Sequence, residues 1–393
     1  MRTIYMDYAA TTPLDPDVLE AMLPWLREGY GNPSSPYAAA RLTRAAVDDA
    51  RVQVAEALDV KPGEVYFTSG GTEALNLAVK GAAFAARKRG RGAHVVVSAV
   101  EHQAVLASAA FLERQGFGVT RVPVDEYGVV HPVAVAEALR PDTALVAVMH
   151  ANNEIGTIQP VEEIARITRA RGVPLLVDAV QTAGLLEVRP DDIGCDLLAL
   201  SAHKLYGPKG VGVLYVRTGT KLEPLLHGGG QERGLRAGTE NVAGIVGLAA
   251  ALKKALDHRP GEAARLAGLR DALIDGIRRR VPGAVLNGHP VRRLPNNVHF
   301  SFPGVDGESL LLNLDLAGVA ASAGSACTSG SLEPSHVLTA VGLPKELAAS
   351  GLRLTVGRHT TEEDVAAVVD IVAETIEKLR GRTAAAARLL HGE

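Results

Sequence analysis

Four short stretches carry residue types suited to chemistry. In SAHKLYGPKGVG (201–212), Lys204 follows the apolar run DLLAL and enters a Gly/Pro turn. Partial burial at a strand end disfavours its ammonium and lowers its pKa, and a neutral amine attacks aldehydes. A surface lysine in a turn is the plain alternative. In LLVDAVQTAG (175–184), Asp178 ends an almost purely apolar strand, where a carboxylate calls for a cationic partner. Gln181 follows three residues later and can donate to a ring oxygen. A helix N-cap aspartate is the rival reading. In VEHQAV (100–105), His102 stands just past a strand, where open sheets bind ligands, and can stack on a flat group or move protons. Taken alone, a histidine satisfied by local backbone is the favoured reading. TSGGTEALN (68–76) runs from a strand through two glycines and Thr72 into a helix. Helix N-terminal N–H groups bind anions, and glycine lets a phosphate approach. A plain strand-to-helix turn is the alternative.

The elements that must position these residues are legible as periodicity. Short β-rich runs recur: EVYFTS (64–69), HVVVSAV (94–100), GVTRVPV (118–124), ALVAVMHA (144–151), PLLVDAV (174–180), DLLALSA (196–202) and GVLYVR (212–217). Several are nearly continuous apolar stretches, which suits strands buried on both faces. Helical patterns such as 73–90 and 160–172 lie between them, so the fold class is α/β with a mostly parallel seven-stranded sheet. Short connections after residue 118 allow an antiparallel strand. A helix at 241–257 meets Pro260 and Gly261, which predict a break, and a second helix follows at 262–280. Beyond it, NNVHFSF, ESLLLNLDLAG and LRLTVG suggest a smaller α+β unit. Thr360 and Glu363 have capping-box spacing before a final helix, and the terminal TAAAARLLHGE reads as frayed. The expected division is 15–257 as a large domain, 1–14 with 258–380 as a small one, and 381–393 as a tail.

At 393 residues the chain is too long for one ordinary core. Its 47% hydrophobic and 22% charged residues are globular rather than disordered. A formal charge of -3 calls for neither nucleic acid nor an anionic membrane. No apolar run approaches the roughly 18 residues of a membrane span, and Asp7 sits where a signal peptide would be apolar, so a cytoplasmic protein is expected. Two cysteines, Cys195 and Cys327, are too few for a disulfide scaffold or a zinc site. Cys195 enters a buried strand and reads as a small apolar residue. Cys327 lies in AASAGSACTSGS, a run without periodicity that predicts an exposed, mobile and reactive thiol.

One ligand asks for a phosphate cup, a stacking histidine, a strand-end aspartate and a strand-end lysine together. Pyridoxal 5'-phosphate has a phosphate, a flat ring, a ring nitrogen that works best protonated, and an aldehyde for a lysine. Here the sequence resembles a known family. YMDYAATTP, GNPSS, TSGGTEALN, EHQAV, ANNEIGT, VDAVQT, SAHKLYGPKG, RAGTEN and SAGSACTSGSLEPSHVL resemble the NifS/IscS-type cysteine desulfurases of the class V aminotransferase family.

The resemblance implies the aspartate-aminotransferase type of fold (fold type I), with a homodimer and sites at the subunit interface. It implies conversion of L-cysteine to L-alanine, with sulfur left on Cys327 as a persulfide. Carried over by position, Lys204 matches the Schiff-base lysine, His102 the ring-stacking histidine, Asp178 the pyridinium partner and Gln181 the donor to the ring hydroxyl. Thr72, Ser201 and His203 match phosphate ligands, Gly71 fits the same cup through its backbone, and Thr239 matches a phosphate ligand lent by the other subunit. Asn153 matches a residue at the substrate and cofactor face. Arg353 matches the clamp on the substrate carboxylate, a task suited to a guanidinium fork. The implied acceptors are an iron–sulfur scaffold protein, which can borrow Cys327 as a transient iron ligand, or tRNA thiolation, thiamine and molybdenum cofactor pathways. No intrinsic metal is implied. Selenocysteine lysis and transamination are rivals on the same cofactor, and Cys327 discriminates, since neither chemistry requires a thiol. A sulfur-delivery scaffold or cofactor-bound regulator is the non-enzymatic rival, which the set of Lys204, Asp178 and Arg353 argues against.

Overall fold

The computed structural model describes residues 2–324 and 334–391. In chain order the strands are β1 (Ile4–Tyr5), β2 (Val65–Thr68), β3 (His94–Ser98), β4 (Gly118–Val122), β5 (Thr143–Ala147) and β6 (Leu175–Asp178). Then come β7 (Leu197–Ser201), β8 (Gly212–Val216), β9 (Val285–Leu286), β10 (Asn297–Ser301), β11 (Val319–Ala320) and β12 (Gly351–Thr355). The helices are α1 (Pro16–Arg27), α2 (Ala38–Leu58), α3 (Gly71–Lys88), α4 (Gln103–Arg114), α5 (Pro132–Ala138) and α6 (Val161–Ala170). They continue as α7 (Pro190–Ile193), α8 (Val242–Arg280), α9 (Gly307–Leu316), α10 (His336–Ala340), α11 (Lys345–Ala348) and α12 (Glu362–His391).

The seven β-rich runs form one sheet in the order β2-β8-β7-β6-β5-β3-β4. The pairs β4–β3, β3–β5, β5–β6 and β6–β7 are parallel, and β8 is antiparallel to both β7 and β2. β2 therefore runs the same way as β7. The carboxyl ends of β2, β3, β6 and β7 share one edge, and the four motifs all follow those ends. A parallel sheet buried on both faces explains the strands' near-continuous apolar character. Every residue of β3, β5, β6, β7 and β8 is buried. Val177, Leu198, Leu200 and Val213 face one core cluster, whereas Leu176, Leu197, Ala199 and Leu214 face another that includes α3 and α4.

A third cluster joins β10 and β12 to the second half of α8, α9 and α12. Here the structure departs from the sequence reading: 242–280 is one helix, not two. Its first half buries Ile245, Leu248 and Leu252 in the first cluster, and its second half buries Leu269, Leu273 and Ile277 in the third. Pro260 is exposed in between. An interior proline costs about 3 kcal/mol, and packing on both flanks outweighs it. The cap of α12 also sits one residue later than the spacing predicts. The Thr361 Oγ1 accepts from the Asp364 N–H and the Thr361 N–H donates to the Asp364 carboxylate, each at 3.1 Å. Thr360 instead accepts from the Gly357 N–H, 2.9 Å away. The terminal segment is helical through His391 rather than frayed.

Candidate active site

A cavity of about 670 Å³ opens at the shared strand edge. Gly71, Thr72, His102, Asn153, Asp178, Gln181, Ser201, His203, Lys204 and Arg353 all line it. They come from the ends of β2, β3, β6 and β7, from the middle of β12 and from the loop before α6, so sheet topology assembles them. Thr239 is exposed and is not among the lining residues. Cys327 lies outside the described residues.

Lys204 closes a three-residue helical turn directly after β7, half-buried. Its Nζ donates to the carbonyls of Ala9 and Ala10, 2.6 Å each. Asp178 is buried, with Oδ1 accepting from the Val180 N–H at 3.0 Å. Burial pushes its pKa up, against the pull of His102 and Lys204. His102 caps α4: its Nδ1 accepts from the Ala104 N–H at 3.1 Å, which puts the neutral ring's proton on Nε2. Burial holds its pKa below the usual range. Burial, then the charges of Lys204 and Lys209, bring His203 down to about 4, so it is neutral at neutral pH. Arg353 is 2% exposed. Its Nη2 pairs with the Asp7 carboxylate at 2.7 Å, and its Nη1 donates to the carbonyls of Asn153 and Gly324 at 3.0 and 3.2 Å.

The class-V aminotransferase family pattern matches residues 4–368. A cysteine desulfurase IscS of Dictyoglomus turgidum is 52% identical, over 96% of each chain. One from Methanosarcina thermophila is 50% identical, over 96% of this chain and 93% of its own. Among solved structures, a NifS-like protein superposes with a TM-score of 0.89 at 38% identity, covering 95% of this chain and 99% of its own. SspA in complex with cysteine superposes with a TM-score of 0.81 at 37% identity, covering 91% and 100%. The chain belongs to the class-V aminotransferase family, in its NifS/IscS-type group.

The cofactor of these class-V enzymes is pyridoxal phosphate, and the cavity fits it. α3 begins at Gly70 with no side-chain cap, so its first N–H groups are left for an anion. Gly70 has φ +151°, a conformation that favours glycine. A Cβ on Gly71 would sit 3.0 Å from Val180 Cγ2 and 3.4 Å from Ser201 Cβ, filling the cradle. A hydroxyl pair (Thr72 and Ser201) and a neutral His203 beside that cradle make a phosphate donor set. The buried Asp178 carboxylate suits a protonated ring nitrogen, which would offset its desolvation.

Sequence reasoning about this class-V site missed the residues at 7–12. Besides Asp7 on Arg353 and the Ala9 and Ala10 carbonyls on Lys204, the Ala9 carbonyl accepts from Gln181 Nε2 at 3.0 Å, and Thr11 Oγ1 lies 3.2 Å from His203 Nδ1. Most of these contacts use backbone carbonyls, which residue types do not announce; only the charge of Asp7 was a readable signal. Two buried acids were also missed. The Glu101 Oε1 accepts from the Ser98 hydroxyl and the Met149 N–H at 2.6 and 2.7 Å. The Glu154 carboxylate accepts from the Ser335 hydroxyl at 2.5 Å.

Proposed function

We propose that this cavity removes the sulfur of L-cysteine and that Cys327 receives it, releasing L-alanine. The activity is that of a cysteine desulfurase. The observation that carries the residue roles is the placement of Lys204, Asp178 and Arg353 in one cavity. The complex of SspA with cysteine, in a fold alike over most of this chain, supports the choice of substrate.

When bound, pyridoxal phosphate supplies an electron sink for the substrate's α-carbon. Gly71, Thr72, Ser201 and His203 hold its phosphate end, Gln181 its ring oxygen and Asp178 its ring nitrogen. Arg353 binds the α-carboxylate, with Asn153 at the same face. Lys204 gives up its place to the substrate amine and moves the α-proton. His102 holds or gives a proton at Nε2, the nitrogen its cap bond leaves over. The Cys327 thiolate attacks the substrate sulfur, so an S–S bond forms as the C–S bond breaks. The bonding pair stays with carbon, which takes protons to become alanine.

We further infer a homodimer in which Thr239 reaches the phosphate of the partner subunit; its exposure outside its own chain's cavity supports this. The sulfur then passes to an acceptor protein, such as an iron–sulfur scaffold. The cytoplasm, where thiols stay reduced, suits a persulfide carrier. Among the described residues no helix is long and apolar enough to cross a membrane.

The test is alanine and sulfide formed from L-cysteine with a thiol reductant, for wild type beside Cys327→Ala and Lys204→Ala. Wild type is expected to make both in equal amounts. Cys327→Ala keeps the cofactor and loses sulfide, and Lys204→Ala loses turnover and the yellow absorbance of the holoenzyme. Sulfide from Cys327→Ala at the wild-type rate would sink the persulfide step.

A further inference from the structure

Arg353, read above as the clamp for the substrate carboxylate, already holds a carboxylate of its own chain. Its Nη2 is 2.7 Å from Asp7 Oδ1. Nη1 serves two carbonyls, Asn153 at 3.0 Å and Gly324 at 3.2 Å. Nε is buried, with no hydrogen-bond partner among the described residues. An arriving carboxylate therefore finds Nη1 in use and Nε buried. The donor it can share or take is Nη2, the one Asp7 holds.

We propose that Asp7 is a placeholder for the substrate's α-carboxylate, and so a specificity-determining residue. Before substrate arrives it neutralises a guanidinium that is only 2% exposed and whose other hydrogen bonds go to uncharged carbonyls. Substrate binds by taking Nη2 from it. The side chain of Asp7 is 18% exposed, so it has water to turn towards when displaced. Its backbone need not move: its carbonyl accepts from the Tyr5 hydroxyl at 3.0 Å and from the N–H groups of Ala10 and Thr11 at 3.0 and 3.4 Å. The same short segment holds Lys204 through Ala9 and Ala10. It thus grips both groups that must bind an amino acid, one by its carboxylate and one by its amine. The exchange subtracts from the affinity of any ligand bearing an α-carboxylate and leaves a ligand without one untouched.

This inference rests on Arg353 binding the carboxylate, and the experiment separates the two. Holoenzyme carrying Asp7→Asn, which keeps the shape and removes the charge, is compared with wild type and Arg353→Gln. The readouts are KM for L-cysteine and spectroscopic titration with L-alanine and with cysteamine, which lacks the carboxylate. Asp7→Asn is expected to lower KM and tighten L-alanine by about fivefold to tenfold, the order of one partly desolvated charge pair, with cysteamine unchanged. A KM that rises or stays put in Asp7→Asn overturns the placeholder and makes Asp7 an aiming residue for Arg353. If Arg353→Gln binds L-alanine as wild type does, the carboxylate reading itself fails.

Discussion

Glu101 and Asp178 are both buried carboxylates beside the cavity, with different uses. Asp178 lines the cavity, where its proposed role sets it against the ring nitrogen. Glu101, its neighbour, is 1% exposed, and burial raises its pKa to about 8, with Asp178 adding to the rise. Its Oε2 is buried with no partner among the described residues, which a protonated acid tolerates better than a carboxylate. Between the usual 4.5 and about 8, the folded protein holds this proton while the unfolded chain releases it. The stability it confers is complete below the lower value and is lost as pH climbs towards 8. Glu101→Gln cannot titrate, so its thermal stability relative to wild type should rise from pH 5 to pH 8, by up to a few kcal/mol, on the order of the shift itself. Thermal melts across that range check this; a constant difference would mean that Glu101 is ionised throughout. Cys195 shows the opposite fate of a buried titratable group. It is fully buried and burial pushes its thiol pKa up, so it stays an inert packing residue, as its place at a strand entry suggests.

At the start of α3, Gly70 adopts a backbone conformation that favours glycine and Gly71 leaves open the space a side chain would fill, which suits the phosphate proposed there. Gly71→Ala places a methyl 3.0 Å from Val180 Cγ2, so either Val180 or the phosphate must give way. The expected result is pyridoxal phosphate dissociating about tenfold more readily, or 1.4 kcal/mol, with little change in the melting of the apoprotein. Equilibrium dialysis of the cofactor checks it. The sequence made such elements readable where one local rule governs. The seven central strands stand as β-rich runs, several of them nearly continuous in apolar residues, and most of the site side chains follow strand ends, where a charged residue after an apolar run is conspicuous. The antiparallel strand left open by the short connections is β8, joined to β7 by 202–211. What could not be read depends on distant packing. Pro260 and Gly261 signal a break that two core clusters override, and Thr360 and Thr361 offer the same cap until the Asp364 side chain selects one. The carbonyls of Ala9 and Ala10 carry no sequence signal at all.

At the scale of the whole molecule, Thr239 raises the question of a second subunit. Its loop is tied down: Arg236 pairs with Glu73 in the first turn of α3 at 2.9 Å, and Glu232 makes a buried ion pair with Arg51 at 2.7 Å. Glu232 and Arg233 both adopt left-handed backbone, with φ of 43° and 56°. If each cofactor borrows Thr239 from the opposite chain, Thr239→Val and Lys204→Ala homodimers should both be impaired. Their mixed dimer then regains one intact site and about half of the wild-type activity per dimer. Activity no greater than the average of the two homodimers would place Thr239 in service of its own chain. A different consequence follows from the segment at 4–12. Ile4 and Tyr5 pair with Val319 and Ala320, and Asp7 bridges to Thr355. The stretch that cradles Lys204 is thus made well before its anchors, which emerge more than three hundred residues later. A nascent chain that already displays Lys204 still lacks the strands that seat its holder. The lysine reaches its working position only once β11 and β12 have been made, so products that stop short of them carry Lys204 without the arrangement that makes it part of an enzyme.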